Sequence, residues 1–175
     1  AAAVSTITKS IRLRSGSVVL PLHDPIRVAE EWSMVDNLSS GRVELSIASG
    51  WHPNDFVLMP EHYQSRHQYM KDKLIELQRF WQGSALSRPN GVGKTINVFL
   101  HPKPIQPQLP IWITAAGAPD TFRYAGETGA NILTHLLGQT TDELREKIEL
   151  YRKSRQAAGL DPTTGKVALM LHTFI

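Results

Sequence analysis

The sequence predicts an α/β fold in which parallel strands alternate with covering helices. Two observations predict it: short apolar runs alternate with longer amphipathic segments, and Gly, Pro or capping residues separate them. Neither an internal repeat nor a linker divides the 175 residues, so we expect one domain with its own core. The resulting order, β-α-β-α-insert-β-α-β-α-β, is typical of a doubly wound sheet or of part of a (β/α) barrel.

The first predicted strand and helix have clear boundaries. Residues 18–20 form an apolar run that Pro21 closes, which predicts a buried strand. Asp24 then occupies a capping position before a helix whose first residue, Pro25, needs no N–H partner. Apolar side chains continue at helical spacing towards Gly41, where the helix is expected to end.

The later elements follow from the same signals. The sequence predicts further strands over 42–49, 110–117, 130–138 and 166–175. Between them it predicts a long helix over 63–81 that stops at Gly83 and a short helix around Phe122 and Ala125. The last predicted helix begins with a capping box at Thr140 and Glu143 and runs to Gly159. Arg66 and His67 lie near the start of the long helix, and we interpret them as part of a solvated outer face without a role.

Composition excludes several classes of function. The net charge is +3, and Lys and Arg are scattered rather than massed, which argues against a nucleic-acid partner. The absence of cysteine excludes disulfides, thiolate metal sites and cysteine nucleophiles, and it fits a reducing compartment. No apolar run reaches the roughly 20 residues of a membrane span, and the first ten residues lack the pattern of a signal peptide. We therefore expect a cytoplasmic protein that does not bind membranes.

The stretch GVGKT, residues 91–95, has the letters of a nucleotide-binding P-loop. A P-loop requires glycine where this chain has Arg88, a buried strand before the loop and a helix after it. Segment 84–86 continues from a predicted helix, so no strand is expected before GVGKT. Segment 96–107 first alternates as a strand does and then becomes proline-rich, so no helix is expected after it. We interpret Asn90-Gly91 as a hairpin turn instead.

Four of the seven histidines fall at or just beyond the predicted carboxyl ends of strands: His23, His52, His135 and His172. In parallel α/β folds these ends form the rim where ligands bind. The four either occupy this rim by chance or line a polar pocket for a large, partly aromatic ligand beside Trp51. Trp51 fits core packing equally well. No carboxylate or close histidine pair accompanies them, so no metal site is predicted.

Two turns contain the small residues that let backbone amides approach a ligand. TAAGAPD, residues 114–120, leads into a helix N-terminus and is a candidate phosphate site. Ser49-Gly50 is a second such turn. Any tight turn between a strand and a helix also favours glycine and alanine, so both turns keep a purely structural interpretation.

Two long segments resemble the bacterial-luciferase-like flavin monooxygenases. They are SGSVVLPLHDPIRVAEEWSMVDNLSSGRVELSIASGWHPNDF, residues 15–56, and LPIWITAAGAPDTFRYAGETGAN, residues 109–131. The segments SGWHPNDF and NILTHLLGQ are most similar to sequences of the subgroup associated with nonribosomal peptide and polyketide biosynthesis. The likeness covers nearly all of the chain in order.

The resemblance implies a (β/α)8 barrel that uses reduced FMN, supplied by a separate flavin reductase, to activate O2 and oxygenate an organic substrate. That substrate would be a small molecule, free or bound to a carrier protein, and a homo-oligomer is expected. Two alternatives remain on the same fold: a deazaflavin-dependent oxidoreductase and a non-catalytic flavin-binding protein. A third is a fragment without independent function.

The length of the chain differs from the family's pattern. A complete barrel needs about 250 residues, so the resemblance implies a partial barrel of about strands 3 to 7. The family's histidine near the end of the second strand is then absent. Because an open sheet exposes two edges, we expect either a longer protein or a second copy that covers them.

The resemblance also assigns site residues by position. Gly16 and Ser17 are implied to lie against the isoalloxazine ring at a non-prolyl cis peptide. The remaining implied flavin contacts are Ala48, Ser49, Gly50 and Trp51 around the ring and Thr114, Ala115, Ala116, Gly117 and Thr121 near the phosphate. His52, closing the pocket, and His135, facing it, are the catalytic candidates. Luciferases have an arginine in place of Ser49, so another group, such as backbone amides, must contact the phosphate.

Overall fold

The computed structural model describes residues 1–171. Its helices are α1 Ala2–Ile7, α2 Pro25–Ser39, α3 Arg66–Trp81, α4 Pro119–Glu127 and α5 Thr141–Ala157. Its strands are β1 Leu13–Arg14, β2 Val18–Val19, β3 Val43–Ala48, β4 Leu86–Pro89, β5 Thr95–Val98, β6 Ile111–Thr114, β7 Asn131–His135 and β8 Val167–Met170. The predicted alternation of strands and helices is confirmed. The predicted strand over 166–175 continues into residues 172–175, which lie outside the described residues, as does His172.

The main sheet is parallel, with its strands in the order β1-β3-β6-β7-β8 and with β2 also paired to β3. It curls as half of a barrel. Leu45 pairs in register with Ile111, Ile47 with Ile113, and Ile113 with Ile132, and all of them are buried. Registered residues of parallel strands share a face, and this apolar face packs against the helices in one core. The opposite, concave face is left for the site.

The first strand differs from the prediction of one run over 18–20. It is divided into β1 and β2, and a short 3-10 helix, Leu20–Leu22, follows. Leu13 pairs with Val43 but Val18 pairs with Ile47, so five steps on this strand face four on β3. One residue is therefore extra, which is a bulge. The peptide bond between Gly16 and Ser17, within this bulge, is cis, as the resemblance implied.

A side chain supports the bulge where the backbone ladder is interrupted. The Ser15 hydroxyl accepts a hydrogen bond from the Ser46 N–H (2.9 Å) and donates one to the Ser46 carbonyl oxygen (3.2 Å). Buried backbone groups need such partners. This pairing of one serine with the backbone of another is not a local feature, so the sequence pattern did not reveal it.

The GVGKT stretch lies in a hairpin, since β4 and β5 are antiparallel. The expectation that no strand precedes it is wrong, because β4 does, but no helix follows. The N–H groups of Val92 and Lys94 donate to the Asn90 side chain (3.1 and 3.0 Å), and that of Gly93 donates to the Asn90 carbonyl oxygen (2.9 Å). These amides are already occupied within the turn and do not form a phosphate cradle.

Helix α5 begins with the predicted capping box. The Thr140 hydroxyl accepts from the Glu143 N–H (3.2 Å), and the Glu143 carboxylate accepts from the Thr140 N–H (2.7 Å). Helix α2 likewise starts as predicted, because the Asp24 carboxylate accepts from the Ile26 N–H (2.8 Å). Both helices therefore start where local sequence signals placed them.

We expect Thr140→Ala to lower the free energy of unfolding by about 1 kcal/mol, because an N-cap hydroxyl satisfies an otherwise unpaired helix amide. Chemical denaturation followed by far-UV circular dichroism measures it. Thr141→Ala is the matched control, since Thr141 is exposed and makes no side-chain hydrogen bond within residues 1–171. Equal losses from the two substitutions would contradict the capping role.

Among residues 1–171, no helix combines the length and apolar character that crossing a membrane requires. In the same range, no three acidic, histidine or cysteine side chains come together as a metal site would need.

Candidate functional site

Five strands end at one cavity of about 750 Å³ on the concave side of the sheet. Each contributes the last residue of its strand: Val19, Ala48, Thr114, His135 and Met170. The volume lies within the range of about 300–1,000 Å³ that is typical of ligand sites. The carboxyl ends of the strands therefore form a common rim, as the sequence predicted.

Most of the predicted site residues line this cavity. They are Gly16, Ser17, Ala48, Ser49, Gly50, Trp51, Thr114, Ala116, Gly117, Thr121 and His135. Gly16 and Gly117, which lie 101 positions apart in the chain, border the same space. Trp51 is 78% exposed, so its alternative interpretation as a core residue is wrong.

Two predicted site residues are not brought to the cavity. Ala115 is buried, and its N–H donates to the Leu133 carbonyl oxygen (2.9 Å) within the sheet. The His52 ring accepts from the Asn54 N–H through Nδ1 (3.2 Å) and lies edge-on to Trp51, outside the cavity lining. His23 also lies outside the lining, so of these four histidines only His135 lines the cavity within the described residues.

His135 extends from the end of β7 with a defined tautomer. Its Nδ1 accepts a hydrogen bond from the Leu137 N–H (3.1 Å). An accepting Nδ1 carries no proton, so the neutral ring holds its proton on Nε2. The Gln139 amide also donates to the His135 carbonyl oxygen (2.5 Å) and thereby supports the turn that follows the strand. His135 is thus a hydrogen-bond donor at Nε2 when neutral.

Two hydroxyls of the cavity are joined to a buried one. Thr114 Oγ1 is hydrogen-bonded to Ser17 Oγ and to Ser46 Oγ, the latter at 2.7 Å. Ser46 is fully buried on β3, whereas Ser17 and Thr114 line the cavity. This line crosses three neighbouring strands and connects the bulge of the first strand to β6.

Arg66 and His67 also line the cavity, contrary to our interpretation of them as part of an outer face. The Arg66 guanidinium donates to the carbonyl oxygens of Gly50 (3.3 Å) and Tyr63 (2.9 Å) and stacks over the Tyr63 ring. Burial lowers the pKa of His67, and the positive charges of Arg66 and Lys71 lower it further, which favours the neutral ring.

The position of Arg66 and His67 in a βα unit is a signal that sequence reasoning missed. The helix after a parallel strand begins at the end of the sheet where that strand stops. Residues of the first helical turn are therefore near the rim, and α3 begins at Arg66. Later residues of α3 lie farther from the rim. The interpretation of the whole helix as an outer face therefore does not hold for its first turn.

Comparison with known proteins matches the whole chain to one family. The model of the luciferase-like monooxygenases matches residues 1–175. The oxygenase component of the flavin-dependent trigonelline monooxygenase of Acinetobacter baylyi is 30% identical over 175 residues, which cover 96% of this chain and 47% of that protein. The chain thus spans about half the length of this relative.

Solved structures confirm the fold. The oxygenating constituent of 3,6-diketocamphane monooxygenase from Pseudomonas putida, solved in complex with FMN, matches with a TM-score of 0.79 at 20% identity over 96% of this chain and 49% of that one. An F420-dependent secondary alcohol dehydrogenase matches with a TM-score of 0.78 at 20% identity over 95% of this chain and 51% of that one.

These neighbours are barrel proteins, and the parallel half-barrel with outer helices agrees with them. The fold prediction of a partial (β/α)8 barrel is therefore confirmed. Together with the match over its full length, this shows that the chain belongs to the luciferase-like monooxygenase family.

Proposed function

We propose that this chain forms the cofactor-binding part of an FMN-dependent monooxygenase that uses reduced flavin and O2 to oxygenate an organic substrate. The observation that carries the proposal is the convergence of five strand ends on one cavity that Gly16 and Gly117 both border. Membership of the family and an FMN-bound structural neighbour support a flavin in that cavity.

The lining fits a phosphate-bearing ring cofactor. Small residues at Ala48 and Ala116 leave room for a flat ring system. A side chain at Gly117 would meet no atom within 4 Å, so its backbone is open to close approach. Arg66 supplies a positive charge at the cavity. These features fit a planar ring with an anionic tail.

Each group has a defined role in the proposal. Ser17 and the residues around Gly50 contact the ring, while Thr121, the turn at Gly117 and Arg66 hold the phosphate. Luciferases have an arginine where this chain has Ser49, and Arg66, which is hydrogen-bonded to the neighbouring Gly50, supplies a cation close to that position. Helix α4 has no side-chain cap, so its first amides are also suited to an anion.

The protein's contribution to the reaction is positioning, proton control and exclusion of water. Bound reduced FMN would supply the electrons that activate O2. His135, with its proton on Nε2, donates a hydrogen bond to a substrate or cofactor oxygen. The cavity wall is more apolar than polar, which limits the access of water to the reacting atoms.

Partner and substrate classes follow from the relatives. A relative named as an oxygenase component supports a separate flavin reductase as partner. The resemblance of SGWHPNDF and NILTHLLGQ supports a role in natural product biosynthesis, with a small-molecule or carrier-bound substrate in a homo-oligomer. A deazaflavin-dependent oxidoreductase is the second candidate, because an F420-dependent enzyme shares the fold.

We expect this chain to bind FMN at least about tenfold more tightly than F420, a difference of about 1.4 kcal/mol. Fluorescence titration with each cofactor measures it, and stopped-flow absorbance then follows reoxidation of reduced FMN by O2 with and without the protein. Tighter binding of F420 would favour the deazaflavin enzyme. Bound FMN that reoxidises at the rate of free FMN would indicate a non-catalytic flavin-binding protein. The absence of binding to either cofactor would refute the proposed function.

A further inference from the structure

Three hydroxyl groups form a continuous line that ends at the cavity. Ser46 Oγ lies 2.7 Å from Thr114 Oγ1, which is hydrogen-bonded in turn to Ser17 Oγ. The first of these groups is fully buried, and the other two belong to residues that line the cavity. The proposed function does not specify which hydroxyl donates and which accepts in each of these hydrogen bonds.

Counting protons limits the possible directions. Three hydroxyls carry three protons, but two hydrogen bonds within the line use two of them, so one proton is left over, either on an end hydroxyl or on Thr114. Ser46 Oγ makes no second hydrogen bond within residues 1–171 and has no access to water. A buried O–H without an acceptor is strongly unfavourable. Ser46 therefore donates to Thr114. Thr114 then either donates to Ser17 or accepts from Ser17 as well, and the first arrangement is favoured because hydrogen bonds that run in one direction strengthen each other.

The backbone around this line is held independently of it. The Ser15 hydroxyl bonds both the N–H and the carbonyl oxygen of Ser46, so the bulge is attached to β3 through Ser15 without the Thr114 hydroxyl. Removal of the Thr114 hydroxyl therefore changes the hydroxyl line and leaves that attachment in place. The line can be tested without removing the support of the bulge.

We infer that Thr114 donates to Ser17, so that the Ser46–Thr114–Ser17 line directs the Ser17 hydroxyl into the cavity as a hydrogen-bond donor. The ligand must then present an acceptor to Ser17, such as a ring nitrogen or a carbonyl oxygen. Each hydrogen bond in a chain polarises the next, so Ser17 is a stronger donor than an isolated serine. His135, which donates through Nε2, is a second donor at the same cavity.

This inference rests on the proposed function, since the acceptor it names belongs to a bound isoalloxazine ring. Ser17 contacts the ligand, whereas Ser46 acts only through Thr114 and is a positioning residue. The opposite polarity would make Ser17 an acceptor for ligand N–H groups. The two polarities predict different results when the Thr114 hydroxyl is removed.

The test is the dissociation constant of oxidised FMN, measured by fluorescence quenching, for Ser17→Ala, Thr114→Val and Thr114→Ser. We expect Ser17→Ala to weaken binding about tenfold, which is the upper range for one hydrogen bond. Thr114→Val, which removes the polarising partner but keeps the volume, is expected to weaken binding about threefold. Thr114→Ser should bind within about twofold of the wild type. Thr95→Val, in the exposed hairpin, is the control for the same chemical change.

The outcomes separate this inference from the proposed function. Thr114→Val that binds FMN as tightly as the wild type, or more tightly, overturns the polarity, because loss of an acceptor would free the Ser17 proton. Unchanged binding by Ser17→Ala overturns the contact itself. If the wild type binds no flavin, the proposed function and this inference both fail. Melting temperatures of all variants show whether any loss of binding is a loss of folding.

Discussion

Gly50→Ala is expected to lower the free energy of unfolding by about 3 kcal/mol. Gly50 has φ of 78°, a conformation that costs residues with a side chain about 1–2 kcal/mol. Its added Cβ would also lie 2.9 Å from two ring atoms of Phe56 and 2.9 Å from Cγ1 of Val19. Phe56 is buried, and overpacking against a buried ring costs about 1–3 kcal/mol.

Urea denaturation of the wild type and Gly50→Ala measures this loss. Gly91→Ala is the matched control, because a Cβ at Gly91 meets no atom within 4 Å and its φ is not positive. The control is expected to change stability by less than about 0.5 kcal/mol. If Gly50→Ala is as stable as the control, then either the turn relaxes freely or the packing of Phe56 against it is loose.

Gly50 is required by the packing of its turn as well as lining the cavity. The resemblance assigned it to the flavin, and it does line the cavity. The contacts of its missing side chain, however, are with the protein itself. Weaker flavin binding by a Gly50 variant would therefore report a displaced cavity wall and not a lost cofactor contact.

The elements that the sequence predicted well are those with local causes. The side chain of Asp24 caps α2 and that of Thr140 caps α5, each through a bond to an amide two or three residues away. Such signals lie within one turn of helix and need no knowledge of the fold. The alternation of apolar and polar residue types in β3 is local in the same sense.

The features that were missed depend on partners far along the chain. The bulge in the first strand is held by Ser15 and Ser46, which are 31 residues apart. Strand β4 forms by pairing with β5, and its exposed alternating pattern lacks the apolar run that predicts a strand. Neither feature has a signature within one local window of sequence.

The two catalytic candidates show the same division. His135 is the last residue of β7, so the alternation of the strand fixes the side of the sheet to which it belongs. His52 lies four residues after the end of β3, beyond the reach of that alternation. Its ring instead accepts the amide of Asn54 and caps the 3-10 turn that follows. Strand periodicity predicts the side of the sheet only as far as the strand continues.

Gly117→Val is expected to weaken FMN binding by at least about tenfold while stability changes by less than about 0.5 kcal/mol. A Cβ at Gly117 meets no protein atom within 4 Å, and its backbone does not adopt a positive φ, so the fold accepts the larger residue. The added side chain enters the cavity that Gly117 lines and blocks close approach of the cofactor to the turn before α4.

Isothermal titration with FMN measures the binding, and urea denaturation measures the stability. Gly91→Val, equally unobstructed but in the distant hairpin, should leave both unchanged. A destabilised Gly117→Val that still binds FMN normally would mean that the turn serves the fold and that the phosphate lies elsewhere. Gly50 and Gly117 border one cavity, yet only Gly117 separates binding from stability, because only there does the missing side chain leave space that a ligand can fill.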